Sequence, residues 1–364
     1  MKIKEITTYL ETIAPIYYQE NYDNSGLIVG DENAIVNAAL VTLDCTEAVI
    51  DEALAKGCNL VIAHHPIIFK GLKKLNGGDY IQRIIIKAIK HNISIYAMHT
   101  NLDNVLNGVG SEIAKRLGVE NTKILKPKKD LLRQLVVYCP TSDVDKLRNQ
   151  LFQAGAGDIG NYDECSFSSV GKGTFRSDER CNPHIGLIGE RNTVEEEKIE
   201  VVFTKDKENS IISAMKNTHP YEEVAYQIYS LDNLYQDVGS GIIGELPKAI
   251  KAEKFLAMIK SKMKTDCVRY TKLVKDKIKK VAICGGSGSF LLSIAKKAKA
   301  DIFITADFKY HEFFDAENEI VIADIGHYES EQFTKDLIFD LLTKKFTKFA
   351  VRLSKVNTNP IKYL

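Results

Sequence analysis

The sequence predicts an α/β fold: two facing βαβ-containing halves form one core, and a ferredoxin-like α+β domain is inserted between them. Three observations predict it. Continuous apolar runs alternate with helical periodicity near both ends of the chain, the pattern of strands buried on both faces of a largely parallel sheet. The spacing from Val41 to Ala63 recurs from Ile283 to Thr305. Between the two, the texture changes at Lys126-Pro-Lys-Lys-Asp130, a charged, proline-containing joint of the kind found at domain boundaries. The recurrence is short, and any two βαβ units look alike, so it reads equally as a repeat and as a coincidence.

In the first half, residues 1–127, a strand is expected at 37–44, a helix at 46–56 and a second strand at 59–63 that ends in His64-His65. A helix at 80–90 leads to a strand at 93–98, followed by His99-Thr-Asn-Leu-Asp103. The insert, residues 128–238, reads strand 131–139, helix 144–153, strand 164–170, a glycine-rich stretch through Gly173 and Pro183, strand 199–203, helix 208–217 and strand 223–230. That order is the split βαββαβ arrangement. In the second half, residues 239–364, strands at 280–284, 301–305 and 320–323 surround a helix at 290–299, and the last strand stops just before Gly326-His327.

Bulk properties exclude several classes. With 364 residues and 45% hydrophobic content, the chain is long enough for two or three domains with separate cores. Lys plus Arg number 49 against 48 for Asp plus Glu, so there is no strong whole-molecule attraction to nucleic acid or anionic membrane. The seven cysteines are odd in number and form no Cys-x-x-Cys pair, which disfavours a disulfide framework or zinc ribbon. The opening Met1-Lys-Ile-Lys-Glu-Ile reads as an amphipathic helix rather than a signal peptide, and no apolar run approaches the ~18 residues of a membrane span. A cytoplasmic location is the expectation.

Three segments at strand ends carry metal-binding residue types: His64-His65, Asp103, and His327-Tyr-Glu-Ser-Glu331. Neighbouring side chains on a strand point to opposite faces, so both histidines reach one site only if the strand has ended. Pro66 ends it, having no amide hydrogen to donate. His327 and Glu331 are four apart, on one face of a helix start, whereas Glu329 points elsewhere. Each feature has a plainer reading: two core or surface histidines, a turn-capping Asp103, and a Glu331 favoured by the helix dipole. Gly285-Gly286-Ser287, between a strand and a helix, reads as a candidate anion-binding loop or equally as a tight βα turn.

Asn21-Tyr-Asp-Asn-Ser-Gly-Leu27, Ala63-His-His-Pro66, His99-Thr-Asn-Leu-Asp-Asn104, Thr305-Ala-Asp-Phe-Lys-Tyr-His311 and Asp324-Ile-Gly-His-Tyr-Glu-Ser-Glu331 resemble, in order, the motifs of the Nif-three-like dinuclear-metal family, whose members are often named homologues of GTP cyclohydrolase I type 2. The middle segment, with His219-Pro-Tyr-Glu-Glu223, is similar to the PII-like or CutA-like insert of longer members. The resemblance implies that His64 and Asp103 hold one metal, that His65 and His327 hold another, and that Glu331 bridges them. It also implies a homohexameric ring, a trimer of dimers.

Three imidazoles and two carboxylates suit two divalent ions per subunit, whether Zn, Fe, Mn or Co. Such a pair, ~3.5 to 4 Å apart, activates water and polarises a substrate, so hydrolysis is the expected reaction class. A nucleotide or purine-like heterocycle is the substrate class the resemblance implies, by a ring opening like that of GTP cyclohydrolase. The competing class is a non-catalytic, metal-binding scaffold or regulatory protein, with the insert as its ligand- or partner-binding module. Beside the ligand segments, His99 and His311 are candidate proton-transfer residues. Asp307 and Asp324 are candidates to receive the second ring N–H of a coordinating histidine.

Overall fold

The computed structural model describes all 364 residues and divides into two compact units, Met1–Pro127 with Gln236–Leu364, and Lys128–Tyr235. Its strands are β1 (Gly26–Val29), β2 (Ala38–Thr42), β3 (Leu60–Ala63), β4 (Ser94–Ala97), β5 (Glu120–Lys128), β6 (Leu132–Pro140), β7 (Phe167–Phe175) and β8 (Asn192–Thr204). They continue as β9 (Tyr226–Leu231), β10 (Tyr235–Lys251), β11 (Arg269–Tyr270), β12 (Lys277–Ser287), β13 (Ile302–Ala306), β14 (Val321–Asp324) and β15 (Ala350–Leu353).

The first unit holds two sheets, ordered β1-β4-β3-β2-β15 and β11-β14-β13-β12-β10-β5. At the centre of each, three strands run parallel, β2-β3-β4 in one and β12-β13-β14 in the other. Val41 pairs with Ile62 and Ile283 with Ile304, the same offset in both, so the recurrent spacing marks two matching βαβ units. Strands β2, β3, β4, β13 and β14 are buried along their whole length, which is why they read as unbroken apolar runs. The parallel crossovers are made by helices with side-chain caps in the first half: Thr46 caps Glu47–Ala55 and Asp79 caps Tyr80–Lys90.

Two features depart from the expected division into halves. Strand β15, from the end of the chain, pairs in parallel with β2, while β5 from the first half lies at the edge of the other sheet. Each half therefore completes the sheet of the other. The Lys126-Pro127 joint is part of β5 rather than a free linker, and an edge strand tolerates a proline that cannot donate to a ladder. The expected helix at 290–299 is a 3₁₀ turn, Ser289–Leu291, followed by a short helix, Leu292–Lys297. No helix is long and apolar enough to cross a membrane.

The second unit is one four-stranded antiparallel sheet, β7-β8-β6-β9. With helices Val144–Gln153 and Glu208–Thr218 it follows the order βαββαβ, and Leu147, Leu151, Ile211 and Met215 pack onto Leu135, Val137, Ile199 and Val201. The glycine-rich stretch is not a loop from its start. β7 runs through Gly171 and Gly173 to Phe175, paired from Phe167↔Glu200 to Phe175↔Asn192. Most of β7 is exposed, so it has no apolar alternation by which to be recognised. Strand β10 carries the chain back to the first unit from Gln236, three residues before the expected start of the second half.

Candidate metal centre

At the end of β3 the chain leaves the ladder, and the two adjacent histidines lean toward different neighbouring strands. His64 Nδ1 lies 2.6 Å from the Met98 carbonyl, beyond β4, and His65 Nδ1 lies 2.7 Å from Asp44 Oδ1, beyond β2. The Met98 carbonyl can only accept, so Nδ1 of His64 carries the hydrogen and its Nε2 is a lone-pair donor. The rings are 4.9 Å apart between centroids and tilted by 46°.

From the other sheet, Gly326 at φ 90° turns the chain out of β14 into the short helix His327–Glu331. His327 Nδ1 is 2.6 Å from Asp307 Oδ2. One turn on, Glu331 faces all three imidazoles: Oε2 is 2.9 Å from His65 Nε2 and 3.1 Å from His327 Nε2, and Oε1 is 3.8 Å from His64 Nε2. Glu329 turns away, where Oε1 accepts from Asn359 Nδ2 at 2.9 Å. Gly286, at φ 58°, is the seat of the carboxylate, because a Cβ there would overlap Glu331 Oε1.

Asp103 completes the cluster, with Oδ1 3.7 Å from His64 Nε2. Both atoms are buried and neither has a hydrogen-bond partner. Burial and the neighbouring Glu331 push the Asp103 carboxyl well above its ordinary range. Burial would also raise Glu331, but the hydrogen bonds and charge of His327 and His65, with His64 nearby, outweigh it and hold that carboxyl well below its ordinary range. Burial lowers His64. For His65 and His327 burial is overcome by carboxylates, Asp44 with Glu331 and Asp307 with Glu331, which carry them up to about 10 and about 11.

The cluster opens into a cavity of about 450 Å³ whose lining includes Tyr22, Phe69, His99, Cys284 and Phe290. His99 Nδ1 is 2.6 Å from Asp23 Oδ1, and Asp23 is itself held by the Thr100 amide at 2.9 Å, the Ser25 hydroxyl at 3.1 Å and the Thr100 hydroxyl. Ring nitrogen Nε2 of His99 is left without a protein partner.

Several expected site residues are placed elsewhere. His311 is exposed on the 3₁₀ turn Tyr310–Ala316, against Tyr310 and Phe314 and outside the cavity lining, because Asp307 at φ 59° redirects the chain after β13. Asp324 accepts from Arg269 and from the Phe308 and Gly326 amides rather than from an imidazole. Gly285, Gly286 and Ser287 lie in β12, not in a free loop. The Gly286 amide donates to Ser330 Oγ at 2.9 Å and a carboxylate stands against it, so this segment seats Glu331 instead of cradling an anion.

The family model described as DUF34/NIF3 (NGG1p interacting factor 3) matches residues 1–360. The chain belongs to the DUF34/NIF3 family. It is similar to the GTP cyclohydrolase 1 type 2 homolog of Halalkalibacterium halodurans, 39% identical over 94% of this chain and 93% of the relative. Its likeness to the homolog of the same name from Bacillus subtilis is 38%, over 99% of this chain and 98% of the relative. The crystal structure of a Bacillus cereus protein related to NIF3 superposes with a TM-score of 0.85 at 35% identity, covering 100% of this chain and 99% of that one.

In this NIF3-family chain, two aspartates escaped the sequence reading. Asp44, just past β2, orients His65, and Asp23 orients His99. The Asn21–Leu27 motif pointed to the second without giving it a role. Nothing local distinguished the first, since Leu43-Asp44 reads as an ordinary strand end.

Proposed function

We propose that the chain is a dinuclear metal-dependent hydrolase acting on a nucleotide or a related purine-like heterocycle. The observation that carries this reading is the pair of buried, unpartnered atoms His64 Nε2 and Asp103 Oδ1 beside a carboxylate that faces three imidazoles. Leaving two such atoms without partners is costly unless a cation satisfies both. The donor set fits a borderline divalent ion, and ligand atoms of His64, His65 and Glu331 all lie within 4.8 Å of one another. In this reading His64 and Asp103 would hold one ion, His65 and His327 the other, and Glu331 would serve both. Met98, Asp44 and Asp307 orient the imidazoles from behind, as supporting groups do in metal sites.

Bound there, divalent ions would supply Lewis acidity and lower the pKa of water to about 7. The protein supplies the rest. His99, oriented by buried Asp23, accepts or returns a proton at Nε2, and Tyr22 and Phe69, with ring centroids 6.1 Å apart, offer aromatic faces to a planar ring. The GTP cyclohydrolase name of the relatives supports testing a purine ring opening first. The homohexamer, a trimer of dimers, belongs to the same proposal and is checked by sedimentation velocity.

Metal analysis with a hydrolysis screen on wild type and Asp103→Ala tests this reading, with GTP, other nucleotides, phosphoesters, amides and cyclic amidines as substrates. The expected result is about two ions per wild-type chain and turnover that depends on them and on Asp103. Metal without turnover in every class would support the scaffold reading instead. A wild-type chain that holds no metal would overturn both.

A further inference from the structure

The inserted unit contains a second cavity, also of about 450 Å³, whose groups have no role in the reading above. Aromatic rings form much of its wall. Tyr221 is central, with its ring centroid 6.5 Å from that of Phe175 and 6.3 Å from that of His184, and Tyr138 lines the cavity beside them. Glu196, on β8, reaches in from the sheet, and its Oε1 accepts from the Tyr221 hydroxyl at 2.9 Å. Gly173 on the paired strand makes room for that carboxylate, since a Cβ there would overlap Glu196 Oε2. No basic side chain pairs with Glu196. In the same wall the Ser177 hydroxyl oxygen is buried and has no hydrogen-bond partner.

A metal is a poor occupant. The lining offers His184, Cys181 and three glutamates, but no three of them bring ligand atoms together as His64, His65 and Glu331 do. An anion is a poor occupant as well. The lining has three carboxylates, Glu196, Glu222 and Glu223, against one guanidinium, and Arg176 directs its Nε to the Gly189 carbonyl at 2.7 Å. What remains is a cation that needs no lone-pair cage: aromatic faces attract it, the carboxylate neutralises it, and an N–H on it satisfies the Ser177 oxygen.

We propose that the inserted unit binds a small protonated organic amine between Phe175 and Tyr221, with Glu196 as its counter-ion and Ser177 as a further hydrogen-bond acceptor. Calorimetric titration of the full-length, metal-loaded chain with 2-phenylethylamine, 2-phenylethanol and phenylacetate tests this at constant shape and varied charge. The amine is expected to bind saturably and at least about tenfold more tightly than the alcohol, with phenylacetate weakest. Glu196→Gln is expected to remove that preference while leaving the weak binding of the alcohol unchanged. Equal binding of amine and alcohol to wild type, tighter binding of phenylacetate, or an unchanged amine preference in a folded Glu196→Gln protein would overturn the proposal. The charge series on wild type decides the question even if that variant does not fold.

Discussion

Glu331 and Glu196 each stand in the wall of a cavity of about 450 Å³, each seated against a glycine where a side chain would collide with it. Their neighbours differ. Glu331 meets three imidazole nitrogens whose other ring nitrogens already have partners, so three Nε2 atoms converge on it. Glu196 meets a phenol hydroxyl and aromatic faces. A carboxylate in a cavity wall invites a cation in both places, and the surrounding groups decide whether that cation is coordinated through lone pairs or held against π faces.

The largest expected effect is on the first carboxylate. Glu331→Gln should reduce the metal content from about two ions per chain to none by elemental analysis, whereas Glu196→Gln should leave it unchanged; metal retained in Glu331→Gln would break the comparison. Next come the seats. Gly286→Ala places a side chain against Glu331 at a left-handed φ of 58° and should weaken metal binding, whereas Gly173→Ala should spare metal and impair only amine binding. Asp44→Ala, which frees His65 from its orienting partner, should weaken metal binding about 10- to 100-fold in a competition titration.

A smaller effect concerns stability. Asp23 is fully buried, and although burial alone would raise it, hydrogen bonds and charge from His99, together with Thr100, hold its carboxyl well below the ordinary range. A carboxylate depressed in the folded state stabilises that state above its unfolded pKa of about 3.9 and loses the contribution as the pH falls further. Asp23→Asn should therefore cost about 1–3 kcal/mol at pH 7 in denaturant unfolding, with the gap to wild type narrowing below pH ~4. A gap constant from pH 7 to pH 3 would refute that assignment. The smallest effect should follow removal of residues 128–235, which contribute nothing to the cluster: metal content is expected to match wild type, and its loss would mean that the core depends on the insert.

Local pattern carried much of this architecture. Apolar runs located the central strands because those strands are buried on both faces, and helical spacing preferred Glu331 to Glu329 because residues four apart share a helix face and residues two apart do not. Proximity in sequence misled where the backbone turned. His311 follows a strand that feeds the site, yet a left-handed residue at Asp307 sends it to the surface. The glycines of β12 read as an anion loop or a tight βα turn because their close approach to a carboxylate more than forty residues away has no local signature.

By itself the sequence determined the residue types at the strand ends, the βαβ alternation and the βαββαβ order of the insert, all properties of a few neighbouring positions. Only the tertiary structure decided that β15 and β5 are exchanged between the two sheets, that Asp44 and Asp23 orient His65 and His99, and that His64 and Asp103 face each other without partners. The physical reason is that a hydrogen-bond partner is chosen by which strand lies alongside. That choice follows from packing across the whole unit and leaves no trace in the spacing of the residues it joins.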